Sequence, residues 1–324
     1  MKKTLTYLFA CLTAALFATT SAEAKVWRVD NNTGTPGDFT TASAASTDSR
    51  VVAGDTLYFN GSATNYGSMT LSKKLVLIGP GYFLTENPET QVSALTAQLS
   101  SVSFDAGSQG SEIMGFDGTQ VFVNTNNIVV RRNRNVYAYV GYYVSNVSNV
   151  FVSQNYAYYV VVGSGCTNIF ITNNYITSSG LSSGSNSVVH VTQNVIDGPG
   201  LTTYNSFVYN NIMNSGSISG TGNSYNNNLC NSTQFPAGNG NVQNVTMSNV
   251  FVGTGSTDGK WKLKSGSPAL GAGVNGEDCG MFGGNEPYVL SGLPAIPSIW
   301  SFSQPSVVPA SGTLQIRIKA NSHN

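Results

Sequence analysis

Residues 128–134 read IVVRRNR, setting three guanidinium groups, Arg131, Arg132 and Arg134, around one amide, Asn133. Upstream, SEIMGFDG holds two carboxylates, Glu112 and Asp117. A guanidinium is a planar fork of donors that matches a carboxylate or sulfate through two bonds. Three forks together could neutralise an acidic sugar, and Glu112 with Asp117 could hold calcium. If Ile113 stacks under Ile128, Asp117 sits under Arg132. The plainer reading is a surface patch of ion pairs, which contribute little to stability.

Elsewhere the chemistry thins out. Between Asn135 and Ser256 the only charged residue is Asp197 and the only histidine is His190. Hydrolysis of a glycosidic bond needs two carboxylates, one on each side of the scissile bond. A lone Asp197 cannot serve as both acid and base, so these residues lack hydrolase equipment. The RIK at 317–319 has no partner carboxylates and carries no chemistry. Beyond the leader, Cys166, Cys230 and Cys279 match no zinc or redox spacing and read as buried free thiols.

Charged residues make up 9% of the 324 residues and cancel to a net charge of zero, against about 25% in ordinary soluble proteins. A nucleic-acid partner is not expected, because phosphate binding needs clustered Lys and Arg. Disorder is also disfavoured, since Val, Ile, Phe and Tyr are frequent and regularly placed. The first residues carry Lys2 and Lys3, an apolar run, and then Ala22-Glu23-Ala24. That order predicts a secretory signal peptide over 1–24, cleaved after Ala24. No other stretch predicts a transmembrane segment.

The elements that must carry these groups come from a repeat. IVVRRN, VFVSQN, IFITNN, VHVTQN, SFVYNN and NSYNNN end on Asn133, Asn155, Asn174, Asn194, Asn211 and Asn228, at separations of 22, 19, 20, 17 and 17. A period near twenty marks a solenoid. The segments are β-branched and aromatic, punctuated by Gly, Asn and Ser, so each turn of the coil supplies short strands. The fold class is therefore all-β, a right-handed parallel β-helix. Coils stack at about 4.8 Å. An inward Asn at a corner can donate to the next coil and accept from the last, so a ladder satisfies amides that would be costly to bury singly.

The register follows. Val150, Val152, Ile169, Ile171, Val189 and Val191 point inward, as do Ala157, Ile176, Ile196, Met213 and Cys230 after the corner. Phe151, Phe170, His190 and Phe207 form an outward stripe about 15 Å long. Tyr156 and Tyr175 are expected outside as well, beside Arg134. Aromatic faces stack on sugars, so this set predicts a glycan-binding surface. The alternative is that a protein partner or the C-terminal tail covers the stripe.

GDTLYFN (54–60), GSMTLSKKLVLIGPGYF (67–83) and the coils themselves resemble secreted bacterial proteins of the pectate-lyase-like β-helix superfamily. LKSGSPALGAGVNGEDCGMFGG (263–284) is similar to the closing element of many such proteins. The resemblance covers residues 25–285 and implies the fold and export. It says little of activity, since one fold hosts many functions. The domain plan is a signal peptide (1–24), a β-helix with an N-terminal cap (25–285), and a tail (286–324) that straps the barrel or serves as a sorting signal. Two functions stay open. One is an exported, non-catalytic scaffold that binds a polysaccharide or cell-surface glycan with no cofactor. The other is a lyase on acidic polysaccharide that uses Arg131, Arg132, Arg134 and Asp117, with calcium.

Overall fold

The computed structural model describes residues 24–35, 37–305 and 313–322. Most of the expected signal segment lies outside them. Among the described residues no helix is long and apolar enough to cross a membrane.

The chain winds as a parallel β-solenoid. One sheet stacks ten strands, from Val26–Val29 to Ser224–Asn226, and a second holds twelve. Each strand pairs in parallel with its counterpart one coil away, as Val150 with Ile169 and Ile169 with Val189. Alternation decides which side chains enter the prism. In Ile169–Phe170–Ile171 the isoleucines are fully buried and the phenylalanine between them faces out. The inward files run unbroken: Ile113, Val130, Val152, Ile171, Val191 and Val208 stack in register. At the N-terminal end a short helix, Ala42–Thr47, adds Ala42 and Ala45 to the same core. Thr41 starts it by accepting from the Ala44 N–H.

The second sheet changes character along the axis. Asp117–Val123, Arg134–Val140 and Tyr156–Val162 are single strands of seven residues. One coil later the path breaks into Tyr175–Ile176 and Leu181–Ser183. The break falls at Thr177–Gly180, where Ser178 and Gly180 take φ of 31° and 72°. That left-handed region is open to glycine and strained for most other residues.

The corner amides hydrogen-bond in file. Asn155 Nδ2 donates to Asn174 Oδ1 at 3.0 Å, Asn174 to Asn194 at 3.0 Å, and Asn194 to Asn211 at 3.0 Å. Each Oδ1 also accepts a backbone N–H, as from Asn155 to Asn174 at 2.9 Å. Each Nδ2 reaches a carbonyl in the preceding coil, as Asn174 to Val152 O at 2.8 Å. The file extends past Asn228 to Asn241, whose Oδ1 accepts from Asn228. At the other end the corner position belongs to Phe116, whose backbone N–H donates to Asn133 Oδ1 at 3.1 Å.

The register below Asn133 differs from the sequence expectation. Ile113 pairs with Val130, not Ile128, and Asp117 pairs with Arg134, not Arg132. Gly115, at φ 81°, occupies the turn position that Arg132 takes one coil on. Its N–H donates to the Arg132 carbonyl at 2.9 Å. A side chain there would meet the Gly79 carbonyl at 2.4 Å. Gly115 thus stands at the turn position of Arg132 and Phe116 at that of Asn133, so the Asn marker is missing from that coil.

The tail does not begin its strap at residue 286. The segment from Ala272 to Leu293 runs back along the solenoid over the residues that immediately precede the ladder. Asn227 donates to Ala272 O at 2.9 Å, Asn173 to Gly283 O at 2.8 Å, and Gln154 to Pro287 O at 2.9 Å. Residues Ser298–Ser303 and Arg317–Asn321 then form an antiparallel hairpin. It docks on the 84–93 excursion through Val92 N–H to Ile299 O and Ser298 Oγ to Thr90 O.

Candidate functional site

The arginine cluster is committed to the protein itself. Arg131 pairs with Glu112, and Arg134 Nη1 with Asp117 Oδ2 at 3.1 Å. Asn135 gives Asp117 a second donor. Burial pushes the Asp117 carboxyl up against the pull of Arg134 and Asn135. Arg132 is buried, in contact with Gln154 Oε1 at 2.9 Å and Leu293 O at 2.9 Å. The three forks therefore do not converge on one open surface. Among the described residues no group of three or more His, Cys, Asp or Glu is placed to hold a metal ion.

Tyr156 and Tyr175 stand outside the prism, as the alternation requires, but they are covered. Their rings lie 4.5 Å apart, and Trp261 of the closing segment packs on Tyr175 at 4.5 Å. Tyr175 is 5% exposed, and its hydroxyl donates to Asp197 Oδ2 at 2.8 Å. Burial, Tyr156 and that carboxylate all raise the Tyr175 hydroxyl. The sequence placed these rings outside but could not show that residues 245–290 fold over them. Val195, Ile212 and Leu229, in the same column, join them in a second apolar cluster with Phe251, Met281 and Tyr288.

The other column is open. Phe151, Phe170, His190 and Phe207 stack in order, with centroids 4.8, 4.7 and 5.0 Å apart and planes within 18° of parallel. Phe151 is 43% and Phe207 47% exposed. The strap passes to one side of this stripe and leaves it uncovered. His190 sits between two rings, and burial lowers its basicity.

Parallel stacking has a chemical consequence. Rings that stack on one another turn their faces along the solenoid axis and their edges to solvent. A sugar stacks on a face, so Phe170 and His190 have little to offer it. Phe207 differs, because its partner in the next coil is Ser224, which has no ring. Its free face borders a cleft of about 620 Å³ lined by Tyr209, Asn210, Asn226, Asn227 and Glu277. Glu277 Oε2 accepts from Gln193 at 2.9 Å and Asn210 at 3.2 Å. Its neighbour Asp278 lines a different cleft, with Lys262 and Tyr288. The two carboxylates do not form an acid/base pair across one space.

A second aromatic face lies on the other sheet. Phe122 stacks on Tyr139 at 5.0 Å, and Tyr142 and Tyr143 meet edge to face at 86°. Tyr142 and Tyr143 are 54% and 68% exposed. Tyrosine-rich VYAYVGYY signals this face in the sequence, but not its meeting with Phe122 one coil below.

Neither the Asn210–Asn227–Glu277 cleft nor its strap wall was legible as a site, because Glu277 arrives from residues far along the chain. Comparison with family models, with curated proteins and with solved structures returned no match.

Proposed function

We propose that the protein is an exported, non-catalytic scaffold of the pectate-lyase-like β-helix kind that binds uncharged glycan. The observation that carries this reading is the end of the aromatic stack. There the free face of Phe207 opens on the cleft whose polar lining is mostly amide. An aromatic face with a few convergent amides is the chemistry that holds a sugar ring: apolar contact for the CH groups, directional bonds for the hydroxyls. The only carboxylate in the lining, Glu277, is already held by two amides, and glycosidic hydrolysis calls for a pair. The lyase alternative draws less support, since Arg131, Arg132 and Arg134 are each engaged within the chain.

The test is electrophoresis of the mature protein through gels containing neutral or uronate polysaccharides, with Phe207→Ala beside the parent. Retardation by a neutral glycan that vanishes in Phe207→Ala is expected. Release of unsaturated product from a uronate polymer, abolished in a folded Arg132→Ala variant, would overturn the non-catalytic reading.

A further inference from the structure

The first coil contains a buried carboxylate whose direct hydrogen-bond donors are all neutral. Asp55 is fully buried. Among the described residues the carboxylates in ion pairs are Asp30, Asp48, Glu112 and Asp117, and Asp55 is not one of them. Its Oδ2 accepts from Trp27 Nε1 at 2.7 Å and Val52 N–H at 2.9 Å. Its Oδ1 accepts from the backbone nitrogen of Lys25 at 2.8 Å. The Lys25 side chain pulls on it electrostatically but forms no ion pair with it, and a buried carboxylate stays costly unless a charge matches it at contact.

Lys25 is also the residue that follows Ala22-Glu23-Ala24, the small-residue pattern of a leader cleavage site. Ala24 and Lys25 are exposed, whereas Trp27, two residues on, is buried. The Lys25 carbonyl accepts from Thr56 N–H at 2.8 Å, which fixes the residue at the start of the first strand. The nitrogen that cleavage would free is therefore already seated on Asp55.

We infer that Ala24–Lys25 is a processing site and that Asp55 is the built-in counter-ion of the α-ammonium made there. The inference rests on the export reading. An endopeptidase of the leader-peptidase class, with water as co-reactant, breaks the C–N bond. The water oxygen stays on the Ala24 carboxylate, and its protons pass to Lys25 N, which becomes an ammonium. A neutral amide contact thereby turns into an ion pair, and the finished chain is more stable than its precursor.

Other charges face this spot. The Lys25 Nζ lies 3.4 Å over the Trp27 ring, and Arg50, paired with Asp48, approaches the same ring at 5.4 Å. Lys73 Nζ bonds the carbonyls of Asp48 and Val51. These cations work against a second positive charge, and Asp55 works for it at contact distance. The α-ammonium's contribution is full below its unfolded value near 8 and is lost as pH rises through its raised folded value. Asp55, held low by its N–H donors despite burial, contributes above its unfolded value near 3.9 and is lost as pH falls.

The test uses the chain released from a fusion so that Lys25 is the first residue, the same chain preceded by Gly-Ser, and both with Asp55→Asn. The expected result is that the extension lowers the melting temperature with Asp55 present and leaves it unchanged in Asp55→Asn. The Lys25 α-amine should titrate about one pH unit or more above the ordinary value near 8. Should Asp55→Asn not fold, the titration and the first pair of chains still decide. An ordinary α-amine titration, or an extension without effect, overturns the pairing. Terminal sequencing of the exported chain separates the two parts: a first residue other than Lys25, or no export, overturns the processing site whatever the pairing shows.

Discussion

Arg132 Nη1 donates to the carbonyl of Leu293 at 2.9 Å, across 161 residues of sequence. The contact is the last rung of a second polar column. Arg132, Gln154, Asn173, Gln193, Asn210 and Asn227 each precede a ladder Asn, and each has φ between 52° and 59°. Such a backbone turns one side chain into the prism and its neighbour out of it. The inward amides bond coil to coil, and the outward ones bond the strap. Left-handed backbone costs roughly 1–2 kcal/mol at a residue other than Gly. Asn tolerates it best, and the strap bonds offset part of the cost.

Arg132→Ala is therefore expected to act on stability. It removes a buried donor from Leu293 O and Gln154 Oε1 and should cost about 1–3 kcal/mol. Arg131→Ala breaks only a partly exposed pair with Glu112 and should cost less than about 1 kcal/mol. Urea midpoints of the two variants would check the order. Equal losses would count against the strap contact.

Asn173 and Asn174 are adjacent but should respond differently. Asn174→Ala leaves the Asn155 N–H without its acceptor and strips the Val152 and Thr172 carbonyls of a donor. A loss of about 3 kcal/mol is expected. Asn173→Gly removes two strap bonds but relaxes a φ of 55°, so its cost should stay below about 1.5 kcal/mol. Asn173→Ala keeps the strain and should fall further, by about 1 kcal/mol. Urea unfolding of the three variants gives the comparison.

In the stripe, position decides the phenotype. Phe170 stacks on both sides and Phe207 on one. Phe170→Ala should destabilise by about 1–3 kcal/mol, two aromatic pairs' worth, and leave glycan retention intact. Phe207→Ala should lower stability by about half as much and abolish retention. Thermal melts and affinity gels run on the same samples separate the two effects.

How much of this could be read from residues alone follows from what is local. The inward positions, the ladder and the stripe depend on a period of two within a strand and on equal coils. They were legible wherever the Asn marker recurred. The coil at 112–123 carries Gly115-Phe116 at its corner instead, so its register slipped by two in the sequence reading. Asn241 was missed because its coil closes after 13 residues. The cover over Tyr156 and Tyr175, the burial of Arg132 and the position of Glu277 all depend on a strap that follows the repeat. Its path is set by bonds from the Arg, Gln and Asn residues that precede each ladder Asn, and that recurrence does not show which later residues they meet.

Alkaline pH offers a last check on how tightly that strap closes. Cys279 belongs to it and is turned inward, buried, with Sγ 3.3 Å from the Asn227 carbonyl. Burial, helped by Asp278 and Glu277, pushes its thiol up to about 12. A free thiol ionises near 8.5. The folded chain therefore holds the proton more tightly, and stability should fall as pH rises from about 8.5 toward 12, at up to about 1.4 kcal/mol per pH unit. Tyr82 and Tyr288, raised by burial, add to the fall only above about 10. Cys279→Ala should lessen the slope between about pH 8.5 and 10, the remainder coming from Cys166, whose thiol burial also raises, and should leave the region above it steep. In the parent, thiol reagents should label Cys279 only as fast as the chain unfolds. Rapid labelling at pH 8 with the fold intact would mean that the strap opens on its own, and the bonds from Asn173, Gln154 and Arg132 would not be holding it.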